Sequence, residues 1–357
     1  MENSQANYKS KNVAIWLFTC CVFILLMVGI GGVTRLTQSG LSITEWKPIS
    51  GILPPFSETS WQEEFTKYQQ SPEYLKKNIG MNLQEFKGIF WLEFIHRLAG
   101  RLTGLVFLIP LIYFIARQQL SKNLAIRLGG IFTLGGLQGV VGWYMVKSGL
   151  RDNPHVSQYW LAFHLSMAFL IFGLVFLQAL RARDMWLEKK NQSPNLQPPE
   201  TSPFNALRAC SVVILLAVFI QVILGAFVAG THAGLAYNTF PDMDGKFVPD
   251  GLFLMQPWYI NFFENTTTIQ FTHRMWAYFV TALILVFCIV SCKFNLTKPL
   301  RYAINTLLGV VIIQVCLGIA TLLYHVPVTL ASIHQVFALL LLTVTIFITH
   351  ELKSYSK

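Results

Sequence analysis

The sequence predicts an all-α integral membrane protein: eight transmembrane helices in two tandem, pseudo-symmetric four-helix bundles, with both termini cytoplasmic. Three observations predict it. The chain of 357 residues is 54% hydrophobic and only 12% charged, with a mean hydropathy of +0.50, too apolar for a soluble fold. Eight stretches are long and apolar enough to span a bilayer. The second four stretches also repeat the residue pattern of the first four, with small shifts in offset.

In order, the spans are Val13 to Gly32, Gly88 to Ala116, Leu128 to Met145, Val156 to Leu180, Ala209 to Gly230, Ile269 to Cys292, Tyr302 to Tyr324 and Val326 to Thr349. After the first comes Gly31 to Pro55, dense in Gly, Pro, Ser and Thr and read as a structured loop, then a charged outer stretch from Trp61 to Glu85. Gly225 to Asp250 follows the fifth span and aligns with the first loop, Gly40 on Gly234, Leu41 on Leu235, Trp46 on Phe240 and Pro55 on Pro249. The duplication divides the chain into an N-terminal half at 1–190, a polar cytoplasmic linker at 191–208 and a C-terminal half at 209–357. With an even number of helices per half, the repeats share one orientation.

The net charge of +10 reports topology and not nucleic-acid binding. With a cytoplasmic N-terminus, the cytoplasmic segments hold 15 Lys and Arg against 5 acids, and the opposite side 9 against 11. The polar leader lacks the character of a transit peptide, and no cleavage site stands out after the first span, so a multi-pass protein of a bacterial plasma (inner) membrane is the simplest expectation. All six cysteines lie in apolar segments, which predicts buried small side chains and no disulfide on the oxidising side; the absence of CxxCH excludes covalent c-type haem attachment.

Only the second and sixth spans carry formal charge. In IFWLEFIHRLAGRLTG, Glu93 and His96 share a helix face, with Arg97 and Arg101 a little further round. Such groups in a bilayer face a bundle interior, either as a functional site or as a Glu93–Arg97 ion pair beside a hydrogen-bonded histidine. The repeat matches Glu93-Phe94-Ile95-His96-Arg97 with Gln270-Phe271-Thr272-His273-Arg274, Gln138 and Gly142 with Gln314 and Gly318, and His164 with His334. His96, His164, His273 and His334 thus stand at one depth, about eight residues from the outer ends of their spans, or roughly 12 Å.

Histidine pairs with few acidic neighbours suit bis-imidazole haem ligation better than a hard-cation site. Gly100, Gly104, Gly129, Gly130, Gly135, Gly136, Gly139 and Gly142 could let a macrocycle approach, although helix packing explains each equally well. Glu93-x-x-His96 resembles half of a di-iron site, but its counterpart is Gln270 and too few hard oxygen ligands remain. Glu93 is the one ionisable group beside a histidine that does not recur, which points to the N-terminal half as the reactive one. For Arg97, Arg101 and Arg274 the candidate partners are Glu93, haem propionates or backbone carbonyls; Arg35 is either a propionate contact or a solvated interfacial cation.

In the order GGVTRLTQSGLSITEWKPISGILPP, EFIHRLAGR, LQGVVGWYMV, WLAFH, NTFPDMDG, FTHR and SIHQ, the chain resembles the haem A synthase family over nearly its whole length. The resemblance implies conversion of the C8 methyl group of haem O to a formyl group. It implies haem B as cofactor on His273 and His334, the substrate haem between His96 and His164, and Glu93 as the catalytic carboxylate. It leaves haem O synthase, terminal oxidase assembly factors and a second copy of the chain as candidate partners, besides the lipid bilayer. The first outer loop lacks the cysteine pair of some bacterial members and is similar to the cysteine-free, mitochondrial-type branch, so no thiol route is expected there. A diheme b-type cytochrome is the alternative, but it leaves Glu93 without a role. A parallel-repeat transporter leaves the histidines unexplained.

Overall fold

Capping residues and prolines fix where the helices begin in the structure, a computed structural model that describes residues 2–46, 50–150, 154–190 and 201–354. The helices are α1 (Glu2–Leu36), α2 (Glu58–Gln69), α3 (Pro72–Lys76), α4 (Leu83–Ala116), α5 (Lys122–Gly149), α6 (Gln158–Lys190), α7 (Thr201–Gly230), α8 (Asn261–Glu264), α9 (Thr266–Ser291), α10 (Lys298–Leu323) and α11 (Val328–Ser354). Eight of them, α1, α4, α5, α6, α7, α9, α10 and α11, are long and apolar enough to cross a membrane, so the chain is an all-α membrane protein. No strand occurs among the described residues.

Several boundaries differ from those read in the sequence, each for a local reason. Asn82 and Glu85 form a reciprocal capping box, and α4 therefore starts at Leu83, ahead of the expected Gly88. The first helix continues through the glycine-rich GGVTR to Leu36, so Gly31 and Arg35 are helical and not part of a loop. The charged stretch 61–85 is mostly helical: Trp61, Phe65 and Tyr68 of α2 are buried against Phe86, Phe90 and Phe94 of α4. Ser57 and Ser71 cap α2 and α3, and Pro72 opens α3, where a missing backbone N–H costs nothing. Of the expected linker at 191–208, residues 191–200 lie outside the described residues and the rest belongs to α7.

Among the first four spans, α1 packs on α4 and α6, and α5 packs on α4 and α6, which leaves α4 and α6 at opposite corners. The later four repeat this: α7 packs on α9 and α11, and α10 on both of them. Between the two sets, α1 meets α11, α7 meets α6, and α6 meets α11; exchanging each helix for its sequence counterpart reproduces the same contacts. Several polar bonds cross this boundary: Gln335 Nε2 donates to Val28 O at 2.7 Å, where Gly32 leaves space for the glutamine side chain, Arg183 pairs with Glu351 and Asp184 with His350, and Gln158 and Tyr159 donate to Glu264.

Pro110 stands inside α4 and cannot donate to the carbonyl of Val106. Trp16 of α1 takes the place of the missing donor, its Nε1 lying 2.9 Å from Val106 O while its ring packs on Phe107 and Phe114. Of the six cysteines, Cys20, Cys21 and Cys288 are buried as expected. Cys210, Cys292 and Cys316 are exposed on the helix surfaces, because an apolar span has an outward face on which a thiol is as acceptable as an alkyl group. None is disulfide-bonded.

Candidate functional site

The corner helices carry the histidines: His96 on α4 and His164 on α6, His273 on α9 and His334 on α11. Within each pair the rings are close enough to interact electrostatically. The helices between them supply one glycine per ring. A Cβ added at Gly31 would lie 2.9 Å from His96 Cε1, at Gly142 3.0 Å from His164 Cε1, at Gly225 3.1 Å from His273 Cε1 and at Gly318 2.9 Å from His334 Cε1. Since ordinary contacts begin near 3.4 Å, only glycine lets these rings sit where they do. The four seats are related by the repeat, Gly31 to Gly225 and Gly142 to Gly318.

Of the glycines singled out in the sequence, only Gly142 has this role. Gly100 meets the Met27 side chain, and nothing comes within 4 Å of the added Cβ at Gly104, Gly129, Gly130, Gly135, Gly136 or Gly139. Sequence reasoning gave Gly31 and Gly225 no part in the site, and it named Gly318 only as the repeat counterpart of Gly142.

Glutamines from the same intervening helices reach three of the four histidines. Gln138 Nε2 donates to His164 O at 2.9 Å. Gln221 Nε2 donates to His273 O at 3.1 Å and lies 3.2 and 3.3 Å from the ring nitrogens, and Gln314 Nε2 is 3.5 Å from His334 Nε2. The place that corresponds to Gln221 in the first half is Met27, so His96 has no such neighbour. Nδ1 of His96, His164 and His334 is buried without a hydrogen-bond partner among the described residues. Buried imidazole nitrogens, three of the four rings with an unpartnered Nδ1, and the Cβ-free faces beside them fit bis-imidazole haem, with no free carboxylate at either pair among the described residues.

Glu93 is 2% exposed, and it is fully engaged. Its Oε2 accepts from Ser42 Oγ at 2.7 Å and from Ile43 N at 2.8 Å; its Oε1 accepts from Arg97 Nε at 3.1 Å and Nη2 at 2.6 Å. Arg97 also donates to Ile43 O and Glu45 O, so the pair clasps the loop that follows α1. The ion pair considered from sequence is therefore present, while His96 makes no hydrogen bond with it.

The second half performs the same clasp without a carboxylate. Gln270 Nε2 donates to Tyr237 O, and Arg274 donates to Tyr237 O, Thr239 O and Asp242 O. Thus backbone carbonyls, and Glu93 in one case, answer the question of partners for Arg97 and Arg274. Arg101 lines a pocket of about 270 Å³ with Arg97, Glu45, Glu63 and Glu64 beneath the outer loop.

The COX15-CtaA family model, described as cytochrome oxidase assembly protein, matches residues 14–346. A haem A synthase of Nitrosospira multiformis is 50% identical over 96% of this chain and 94% of its own length. Those of Nitrosomonas eutropha and of Wolbachia from Culex pipiens are 46% and 47% identical, covering 95% and 93% of this chain and 93% and 95% of their own. With a repeated four-histidine frame and kinship over nearly its full length, the chain belongs to the haem A synthase family.

Proposed function

We propose that the chain oxidises the C8 methyl group of haem O to a formyl group and so makes haem A. The observation that carries the assignment of halves is the asymmetry of two otherwise matched frames: Glu93 against Gln270, and Met27 against Gln221. The C-terminal pair, His273 and His334, has glutamine support at both rings and would hold haem B; bound there, haem B supplies one-electron transfer. The N-terminal pair, His96 and His164, would position haem O, with His96 left free of a glutamine and Glu93 one helical turn away.

The contacts of Glu93 bear on its role. All four are donors, matched to a carboxylate that accepts. Between carrying protons and holding a fixed negative charge near the substrate, this supports the second: Arg97, Ser42 and Ile43 N keep the carboxylate in place, and positive charge developing on the substrate would be stabilised by it. The same bonds fix the first outer loop over the site and limit the entry of water.

The repeat of helix contacts supports two four-helix halves at 1–190 and 209–357, and the charge asymmetry of the loops supports cytoplasmic termini in a bacterial plasma (inner) membrane. Haem O synthase on the supply side and terminal oxidase assembly on the demand side are the partner classes such a reaction implies. The test is haem extraction and mass analysis of the purified protein with its substitutions. Glu93→Gln should retain haem B and lose conversion of haem O to haem A; wild-type conversion would overturn the role of Glu93. His273→Ala or His334→Ala should lose haem B, and unchanged haem B content would overturn the cofactor assignment.

A further inference from the structure

Arg35 is a half-buried arginine without a hydrogen-bond acceptor or ion-pair partner among the described residues. A guanidinium withdrawn from water without an acceptor is costly, so a site that keeps one has an anion to receive. Its position says which. Arg35 lies one turn beyond Gly31 on α1, on the same helix face, and Gly31 is the seat of His96. Helical side chains lean toward the N-terminus of their helix, which carries the Arg35 side chain back toward the His96 chamber.

The surroundings of Arg35 are basic. His155, ahead of α6, and His232, just after α7, bring their rings to 5.5 Å from each other. Partial burial and then the charges of Lys77 and Arg35 lower the basicity of His155; burial, then Arg35, His155 and Lys77 lower that of His232. Arg35 of α1 and Lys77 at the end of α3 thus lie within electrostatic reach of the two histidine rings, which come from the loop before α6 and the turn after α7. In the second half the residue matching Arg35 is Ala229.

Building on the reading of the N-terminal pair as the substrate site, we propose that Arg35, with Lys77, His155 and His232, is a carboxylate clamp for the propionate groups of haem O. Haem carries both carboxylates on one edge, and the C8 methyl shares its pyrrole ring with one of them. A clamp at the outer end therefore orients the macrocycle and determines which methyl lies near Glu93, while the apolar tail of haem O is directed into the membrane. Arg35 is the central member because its planar fork can take a carboxylate through two parallel N–H bonds.

The test is equilibrium binding of haem O and of its propionate dimethyl ester to the detergent-solubilised full chain, followed by the haem absorption spectrum. Wild type should bind the free acid about tenfold more tightly than the diester, the scale of one charge-assisted bidentate contact. Arg35→Ala should lose that preference by weakening the free acid alone, and Arg35→Lys should recover part of it. Haem B content, read from the same spectra, should be unchanged in both variants and certifies that they are folded. Wild type that binds acid and diester equally, or Arg35→Ala that weakens both equally, overturns the clamp while leaving the substrate assignment intact. Wild type that binds no haem O overturns the substrate assignment and the clamp with it.

Discussion

Gly225→Ala sets helix stability against cofactor seating. The new Cβ would lie 3.1 Å from His273 Cε1, inside ordinary contact, so the ring must move by a few tenths of an ångström. Overpacking of this kind costs about 1–3 kcal/mol. Replacing a mid-helix glycine by alanine also contributes about 1 kcal/mol of helix stability, leaving the melting temperature nearly unchanged. An axial ligand tolerates no such compensation, because a displaced ring loses bonding to iron directly. The expected loss of about 1–3 kcal/mol is a fall of roughly 5- to 150-fold in haem B affinity. Transfer of haem to an excess of apomyoglobin measures it, with Gly136→Ala as control, since nothing lies within 4 Å of a Cβ there. Gly318→Ala, at 2.9 Å from His334 Cε1, should release haem at least as readily. If Gly225→Ala holds haem B as tightly as wild type and Gly136→Ala, the seat is not a seat and the cofactor does not use His273.

Three further perturbations follow from particular bonds. Trp16→Phe keeps an aromatic ring against Phe107 and Phe114 but leaves Val106 O only the weak Cys20 thiol donor at 3.9 Å; thermal unfolding should show a loss of about 1–3 kcal/mol, and an unchanged melting temperature would refute the role given to the indole N–H. Arg274→Leu frees the carbonyl of Thr239 and leaves those of Tyr237 and Asp242 only the Gln270 amide and the Thr239 hydroxyl as donors, so amide exchange in that loop should accelerate by on the order of tenfold or more; wild-type protection would contradict the clasp. Burial, opposed by the Tyr68 hydroxyl and Lys77, lifts the Glu73 carboxyl from 4.5 to about 7. A carboxyl raised in the folded state binds its proton more tightly there, so its contribution is favourable below its ordinary range and is lost as pH rises through about 7. Glu73→Gln should therefore flatten the decline in stability between about pH 5 and pH 8 and add on the order of 2 kcal/mol at the upper end; an unaltered pH profile would count against it.

Hydropathy made the eight spans legible, and duplication made the four histidines legible, because both are patterns extended over many residues. The seats were harder to read. Gly31 lies in GGVTR, whose composition resembles a loop, and its helical state depends on packing against α4 and α11 that no local window contains. Gly135 and Gly136 sit in an equally glycine-rich run but face outward, so density of glycine did not locate the contacts. Gln221, Gln335 and Met27 are single residues in apolar runs with no period of their own. Their significance appears only when each is set beside its histidine or its counterpart in the other half. Glu93 was visible from its charge, whereas the clasp it makes with Ser42 and Ile43 depends on how the loop folds back over α4.

The bond from Trp16 to Val106 also bears on biogenesis. A carbonyl released by Pro110 within hydrocarbon has no water to turn to, and its principal donor resides on a helix that precedes α4 in the chain. By the time α4 leaves the ribosome, α1 is already available to receive it, so the proline never needs to enter the bilayer unassisted. A circular permutant that moved α1 to the end of the chain would reverse this order, and α4 would have to insert before its donor existed. The order of synthesis is thus one of the conditions under which a proline in the middle of α4 is affordable.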